Sequence, residues 1–344
     1  MNAETLYLDH AATTPLLPEA HAAMEEGWRL WANPSSPHRS GRAARAAFEE
    51  ARAGIKASLG WDGEVVFTSG ASEALAIAFR NSKLPLVAVS SVEHEAVLRY
   101  AGDAARLPVG RDGLIHAADA AVSGLVAIQH ANNETGVLQP LEDIVSKVRD
   151  AGGLLLADCA QTAGKIALPD ADMIALSAHK FGGPVGVGAL LVRDYAMLDP
   201  SGGQERGYRG GTENLPGVLA MAAALGAGSG WMPGAVRLRT RLEAAIRQYG
   251  GEIVAEHAPR IATIGAVRLA GVSAASQLIR LDAMGIAVSA GSACSSGSLK
   301  TSHVLDAMGI EGAGEVIRVS IGRETSEADV DKFIEAWQVI AGKA

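Results

Sequence analysis

Clusters of basic residues are missing from this chain. Its 30 lysines and arginines are outnumbered by 38 acidic residues, for a formal net charge of −8. That balance gives direct nucleic-acid binding no electrostatic footing. Unbroken apolar runs of bilayer length are also missing, which argues against a helical membrane span. The start, Met1-Asn2-Ala3-Glu4-Thr5, has neither the basic nor the apolar region of a secretion signal. Cysteine is scarce, with two in 344 residues and no recognisable pairing pattern. A disulfide framework is thereby excluded, and a reducing, cytoplasmic compartment is expected. No metal site is expected, and there are no convincing internal repeats.

Glycine, by contrast, is abundant at 40 residues, in keeping with many tight strand-to-helix turns. Strands are expected over 64–68, 86–89, 125–129, 154–158, 173–177 and 188–192, in a mainly parallel set. Helices are expected from Ser72, from about His94 and over 140–150. This alternation predicts an α/β sheet covered by helices on both faces. The stretch 202–211 is too glycine-rich for regular structure and reads as a loop. From about Met232 the character changes. Helical patterns over 235–249, 276–284, 302–308 and 326–341 are separated by short strands near 262–269, 286–289 and 316–321. That is the pattern of a smaller α+β domain, joined through the tract Gly226-Ala227-Gly228-Ser229-Gly230.

Lys180 stands in Asp172-Met173-Ile174-Ala175-Leu176-Ser177-Ala178-His179-Lys180-Phe181-Gly182-Gly183-Pro184. A buried strand thus delivers one amine to a loop. Such a lysine is either an ordinary surface residue or a desolvated amine of lowered pKa that forms Schiff bases. One strand upstream, Leu154-Leu155-Leu156-Ala157-Asp158-Cys159-Ala160-Gln161 ends an apolar run in a carboxylate. In a pyridoxal phosphate enzyme an aspartate pairs with the pyridine nitrogen and keeps it protonated. Gln161 would then donate to the ring's phenolic oxygen. Alone, Asp158 reads equally as a metal ligand or a helix cap; beside Lys180 it predicts pyridoxal phosphate as cofactor.

These motifs fall within an order that resembles the cysteine desulfurases of the class V aminotransferase group, with the type I pyridoxal phosphate transferase fold. The resemblance runs from Tyr7-Leu8-Asp9-His10-Ala11-Ala12-Thr13-Thr14-Pro15 through Asn33-Pro34-Ser35-Ser36 and Thr68-Ser69-Gly70-Ala71-Ser72-Glu73. It continues through Glu93-His94-Glu95-Ala96-Val97, His130-Ala131-Asn132-Asn133-Glu134-Thr135-Gly136 and Arg209-Gly210-Gly211-Thr212-Glu213-Asn214. Ser289-Ala290-Gly291-Ser292-Ala293-Cys294 and Ile317-Arg318-Val319-Ser320 close it. It implies a large pyridoxal phosphate domain over 15–231 and a small domain made of 1–14 and 232–344.

A strand followed by Ser69-Gly70-Ala71-Ser72 and a helix leaves backbone amides and a helix dipole free for a phosphate, here at Ala71 and Ser72. Ser72 stands where the family often has threonine. The resemblance adds Ser177 and His179 as phosphate contacts. It also makes Thr212 a residue that reaches the neighbouring subunit's cofactor, and so implies a homodimer. His94, by itself a capped surface histidine, is placed by the resemblance on the pyridine ring, where it moves protons. Asn133, by itself a turn residue, is placed beside the phenolic oxygen and the substrate carboxylate. Arg318, in an alternating strand, is assigned to that carboxylate, which a guanidinium fork suits; Arg323 reads as structural.

Cys294 lies in Gly291-Ser292-Ala293-Cys294-Ser295-Ser296-Gly297-Ser298, with hardly a bulky neighbour. A structural cysteine belongs in an apolar strand or helix. This composition suits a hydrophilic loop from which a thiol can travel, or an incidental exposed thiol. The resemblance, to the nitrogen-fixation and iron–sulfur-cluster type with its longer catalytic loop, makes Cys294 the sulfur carrier. Cys159 reads as a buried filler near the ring. The implied reaction converts L-cysteine to L-alanine with a persulfide on Cys294, then passes sulfur to an acceptor protein such as an iron–sulfur scaffold or a thiolation enzyme. Selenocysteine lyase, or an aminotransferase or lyase of the same group acting on another amino acid, is the alternative. The chain stops soon after the 326–341 helix, where many relatives carry a longer scaffold-docking tail, so that partner is the least defined.

Overall fold

The computed structural model describes residues 5–291 and 302–342. Its strands in chain order are β1 (Leu6–Tyr7), β2 (Glu64–Thr68), β3 (Leu86–Ser90), β4 (Ala105–Leu107), β5 (Leu125–Gln129) and β6 (Leu154–Asp158). They continue with β7 (Met173–Ser177), β8 (Gly188–Val192), β9 (Glu252–Ile253), β10 (Ile264–Arg268), β11 (Ile286–Ala287) and β12 (Val316–Ser320).

The larger sheet has seven strands in the order β2-β8-β7-β6-β5-β3-β4. β8 runs antiparallel to both β2 and β7, while β7, β6, β5, β3 and β4 pair in parallel. Six strands therefore point one way, and only β8 is reversed. The sequence did not foresee that reversal, because a strand buried on both faces reads as a continuous apolar run in either direction. Nor did it foresee β4, three residues with Arg106 at the centre.

Alternation along each strand splits the core in two. Val65, Phe67, Ile128, Leu155, Ala157, Ile174 and Leu176 pack beneath helices Pro18–Leu30, Arg39–Leu59, Leu141–Asp150 and Leu215–Gly226. Val66, Ala127, Leu156, Met173, Ala175 and Leu190 face helix Ala71–Asn81. Fully burying one such aliphatic side chain contributes roughly 1.5–3 kcal/mol. The helix expected from His94 is only four residues, Glu95–Leu98.

A second core gathers around the three-stranded antiparallel sheet β12-β10-β9, with helices Met232–Gln248, Ala274–Ala283 and Glu327–Ile340. The start of the chain joins it: β1 pairs in parallel with β11, and Leu6 and Leu8 are buried there. The glycine-rich stretch is a loop, as its composition predicts, but it is fixed. Glu205 accepts two hydrogen bonds from Arg52, each 2.9 Å, and one from the Phe67 N–H at 2.8 Å.

Candidate active site

Because β2, β5, β6 and β7 run in one direction, their carboxyl ends share one edge of the sheet. Ligands of open α/β sheets bind at that edge. A cavity of about 350 Å³ lies there, and its lining includes Ser72, His94, Asn133, Asp158, Lys180 and Arg318. Ala71, Gln161, Ser177 and His179 line it too.

β2 runs into helix Ala71–Asn81 through Gly70, whose φ of +145° suits glycine and disfavours other residues. No side chain caps that helix start, so its leading N–H groups are available to an anion. The Ser177 hydroxyl sits 3.4 Å from the point where a Cβ on Gly70 would lie. His179 Nδ1 is 3.1 Å from Thr13 Oγ1, and burial, helped by Lys180 and Lys165, pushes its imidazole down to about 4.

Asp158 ends β6 beside Gln129 of β5, its partner in register. Its Oδ1 accepts the Ala160 N–H at 2.9 Å. Burial raises the carboxyl above its ordinary value, opposed by that N–H, His94 and Lys180, all of which favour the anion. Lys180, after β7, donates from Nζ to the carbonyls of Ala11 at 2.6 Å and Ala12 at 2.8 Å. The chain start thus holds the amine at the cavity floor. Gln161 Nε2 donates to the Ala11 carbonyl at 3.0 Å, and its buried Oε1 has no hydrogen-bond partner among the described residues. His94 caps its short helix: Nδ1 accepts the Ala96 N–H at 3.1 Å. Burial lowers its pKa, with Asp158 opposing. The neutral ring therefore carries its proton on Nε2.

The opposite wall comes from the smaller sheet. Arg318, 1% exposed in β12, donates from Nη2 to Asp9 Oδ1 at 2.8 Å and from Nη1 to the Asn133 carbonyl at 3.0 Å. Its Nε is buried without a partner among the described residues.

Pyridoxal phosphate fits this set of donors. An uncapped helix start and the Ser177 hydroxyl suit its phosphate, a buried carboxylate suits a cationic ring nitrogen, and the Lys180 amine suits its aldehyde. The orphaned Gln161 and Arg318 atoms leave hydrogen-bonding capacity for a ligand.

One sequence-selected residue lies elsewhere. Thr212 is exposed and outside this cavity. It lines a second one of about 260 Å³ with Trp28, Trp31 and Asn33. Cys294 is outside the described residues. Cys159 is buried as expected, but alternation turns it to the face of Leu155 and Ala157, away from the cavity lining. Burial there pushes its thiol far up. Arg323 binds the carbonyls of Ala227 and Gly228, the structural role expected of it.

Three features escaped the sequence. Asp9 and Glu134 lay unremarked inside quoted motifs. Lys165, 5% exposed, shares a small neighbouring cavity with Lys180. Burial, with Lys180 adding to it, pushes Lys165 down to about 7.

A family model described as Aminotransferase class-V matches residues 6–333. A curated cysteine desulfurase of Cereibacter sphaeroides is 38% identical, over 96% of this chain and 94% of that protein. One named cysteine desulfurase IscS, from Dictyoglomus turgidum, is 35% identical over 98% and 95%. Among solved structures, a NifS-like protein from Rickettsia africae superposes with a TM-score of 0.89 at 27% identity. It covers 98% of this chain and 100% of its own.

Proposed function

The chain belongs to the aminotransferase class-V family, and from that premise we propose how it works: it is a pyridoxal-phosphate-dependent cysteine desulfurase. The observation that carries this reading is the single cavity in which Lys180, Asp158, the open helix start at Ala71 and Arg318 converge. The names of the curated relatives favour cysteine over the alternative substrates.

Bound pyridoxal phosphate supplies a sink for the electron pair left when a proton leaves the α-carbon of cysteine. Ala71, Ser72, Ser177 and His179 would hold its phosphate, Lys180 would be its covalent anchor, and Asp158 would pair with its ring nitrogen. Arg318 and Asn133 would orient the substrate carboxylate, Gln161 would donate to the phenolic oxygen, and His94 would lie against the ring. Lys180, held at the floor by two carbonyls, takes the α-proton. The Cys294 thiolate then attacks the substrate sulfur: a sulfur–sulfur bond forms, and the carbon–sulfur bond breaks with its electron pair passing to the substrate. Protons complete alanine, so cysteine and one thiol become alanine and one persulfide without an external oxidant or reductant. The attacking group must be a thiolate.

Repeated turnover needs an acceptor for the persulfide, and we assign that part to a thiol-bearing acceptor protein such as an iron–sulfur scaffold or a thiolation enzyme. A thiol that must stay reduced favours the cytoplasm. The working unit is a homodimer: Thr212 sits on a fixed loop beside Trp28 and Trp31, which are 58% and 78% exposed. We propose domain boundaries of 15–231 for the cofactor side, with 1–14 and 232–344 on the other; the gathering of buried residues from Leu17 to Leu225 in one core, and of Leu6, Leu8 and Ala235 to Ile340 in another, supports this division.

Incubation with L-cysteine, followed by alanine assay and peptide mass analysis, tests the reaction. One added sulfur atom on Cys294 with matching alanine is expected. Alanine without sulfur at position 294, or no alanine from cofactor-loaded protein, sinks it.

A further inference from the structure

Glu134 is a carboxylate buried to 4% exposure in a loop beside the cavity, and nothing in the chemistry above uses it. Its loop is rigid. The Glu134 and Thr135 N–H groups both donate to Asn132 Oδ1 at 2.9 Å, and the Ile261 N–H donates to the Gly136 carbonyl at 2.8 Å. The same loop supplies Asn133, whose carbonyl holds Arg318.

Two residues meet the Glu134 carboxylate from far along the sequence. The Ser302 hydroxyl donates to Oε2 at 2.5 Å, while the same hydroxyl accepts the Leu305 N–H at 3.1 Å and caps helix His303–Ala307. Gly291 lies so close that a Cβ there would overlap Oε2. Gly291 and Ser302 are the described residues that flank 292–301, which contains Cys294. His303 adds a further attachment, with Nε2 at 2.9 Å from the Glu93 carbonyl. Ser302, His303 and Arg318 each favour the Glu134 anion against the upward push of burial.

We propose that Glu134 is a positioning residue for sulfur transfer: its carboxylate holds Ser302 by a hydrogen bond and packs against Gly291, the described residues on either side of the cysteine-bearing segment, from the loop that carries Asn133 and, through it, Arg318. This rests on the desulfurase reading of Cys294. A small misplacement of reacting groups costs on the order of 10²-fold in rate.

The test is a single-turnover measurement with cofactor-loaded protein and saturating cysteine, following persulfide on Cys294 by mass and the cysteine-induced change in cofactor absorption separately. Glu134→Ala should slow persulfide formation roughly 10²-fold while cofactor content and the concentration of cysteine giving half the absorbance change stay as in the wild type. Glu134→Gln, whose amide oxygen still accepts from Ser302, should recover to within about fivefold. Ser302→Ala should slow the same step, and the double variant should be no slower than Glu134→Ala. Persulfide at the wild-type rate in Glu134→Ala overturns the proposal. So does an equal loss of cofactor and cysteine binding, or a glutamine variant as slow as the alanine one. A wild type that makes alanine but no persulfide on Cys294 overturns the desulfurase reading itself, and is distinguishable because it requires no variant.

Discussion

One wall of the cavity is made of strand ends: Gly70, Asp158 and Ser177 each take their place from the strand and turn they terminate, and Lys180 comes within a turn of β7. The facing wall, Arg318 and Asn133, is held by contacts between distant parts of the chain. Arg318 reaches Asp9 over 309 positions and Asn133 over 185, and Ser302 reaches Glu134 over 168. The first wall is in place once the seven-stranded sheet forms. Of these contacts, Arg318–Asn133 and Ser302–Glu134 exist only when the two cores meet. In the proposed mechanism, chemistry is thus lodged in the locally determined wall, and substrate orientation in the facing one.

The sharpest way to break this contrast is at Lys180. Lys180→Ala should abolish turnover and the yellow colour of the loaded protein, with the circular dichroism spectrum unchanged, since the amine's hydrogen bonds go to two carbonyls of the chain start. A colourless but fully active wild type would refute the cofactor assignment. On the facing wall, Arg318→Lys should raise the cysteine concentration for half-maximal rate roughly 10- to 100-fold, because a point charge cannot reproduce the fork shared by Asp9, Asn133 and a carboxylate. Equal effects on kcat and KM would blur the division of labour.

Lys165 sharpens the comparison by stability. The folded chain holds its ammonium near 7, against 10.5 for a free lysine. Between those values the unfolded chain binds a proton that the folded chain lacks, so stability rises with pH across that window. Below about 7 the buried charge is a full penalty. Lys165→Met should therefore stabilise the cofactor-free protein at neutral pH by on the order of 1–3 kcal/mol, and the gain in Tm should fade as pH approaches 10.5. A gain independent of pH would refute the electrostatic cause. Smallest of all, Cys159→Ala should keep turnover within about twofold and cost about 1 kcal/mol by lost packing.

Much of the first wall was legible because its signals are local. An apolar run ending in Asp158, or a strand running through Ser69-Gly70 into a helix, states its own geometry. The reversal of β8 was not legible, since every one of its five residues is buried and no alternation marks its direction. The Asp9–Arg318 pair and the Glu134–Ser302 contact were not legible either. Each joins residues in separately readable motifs, and nothing within either motif specifies the other. Lys165 looked like any lysine in a loop; only the packing of Trp231 and Phe181 around its small cavity reveals that it has left water.

The placement of Cys159 has a practical consequence. It shares a peptide bond with Asp158, yet the pleat of β6 seals its sulfur in the opposite core at 0% exposure. A colorimetric thiol titration of the folded chain therefore does not count Cys159, whose equivalent appears only when the seven-stranded sheet opens. That delayed equivalent serves as a clock for unfolding.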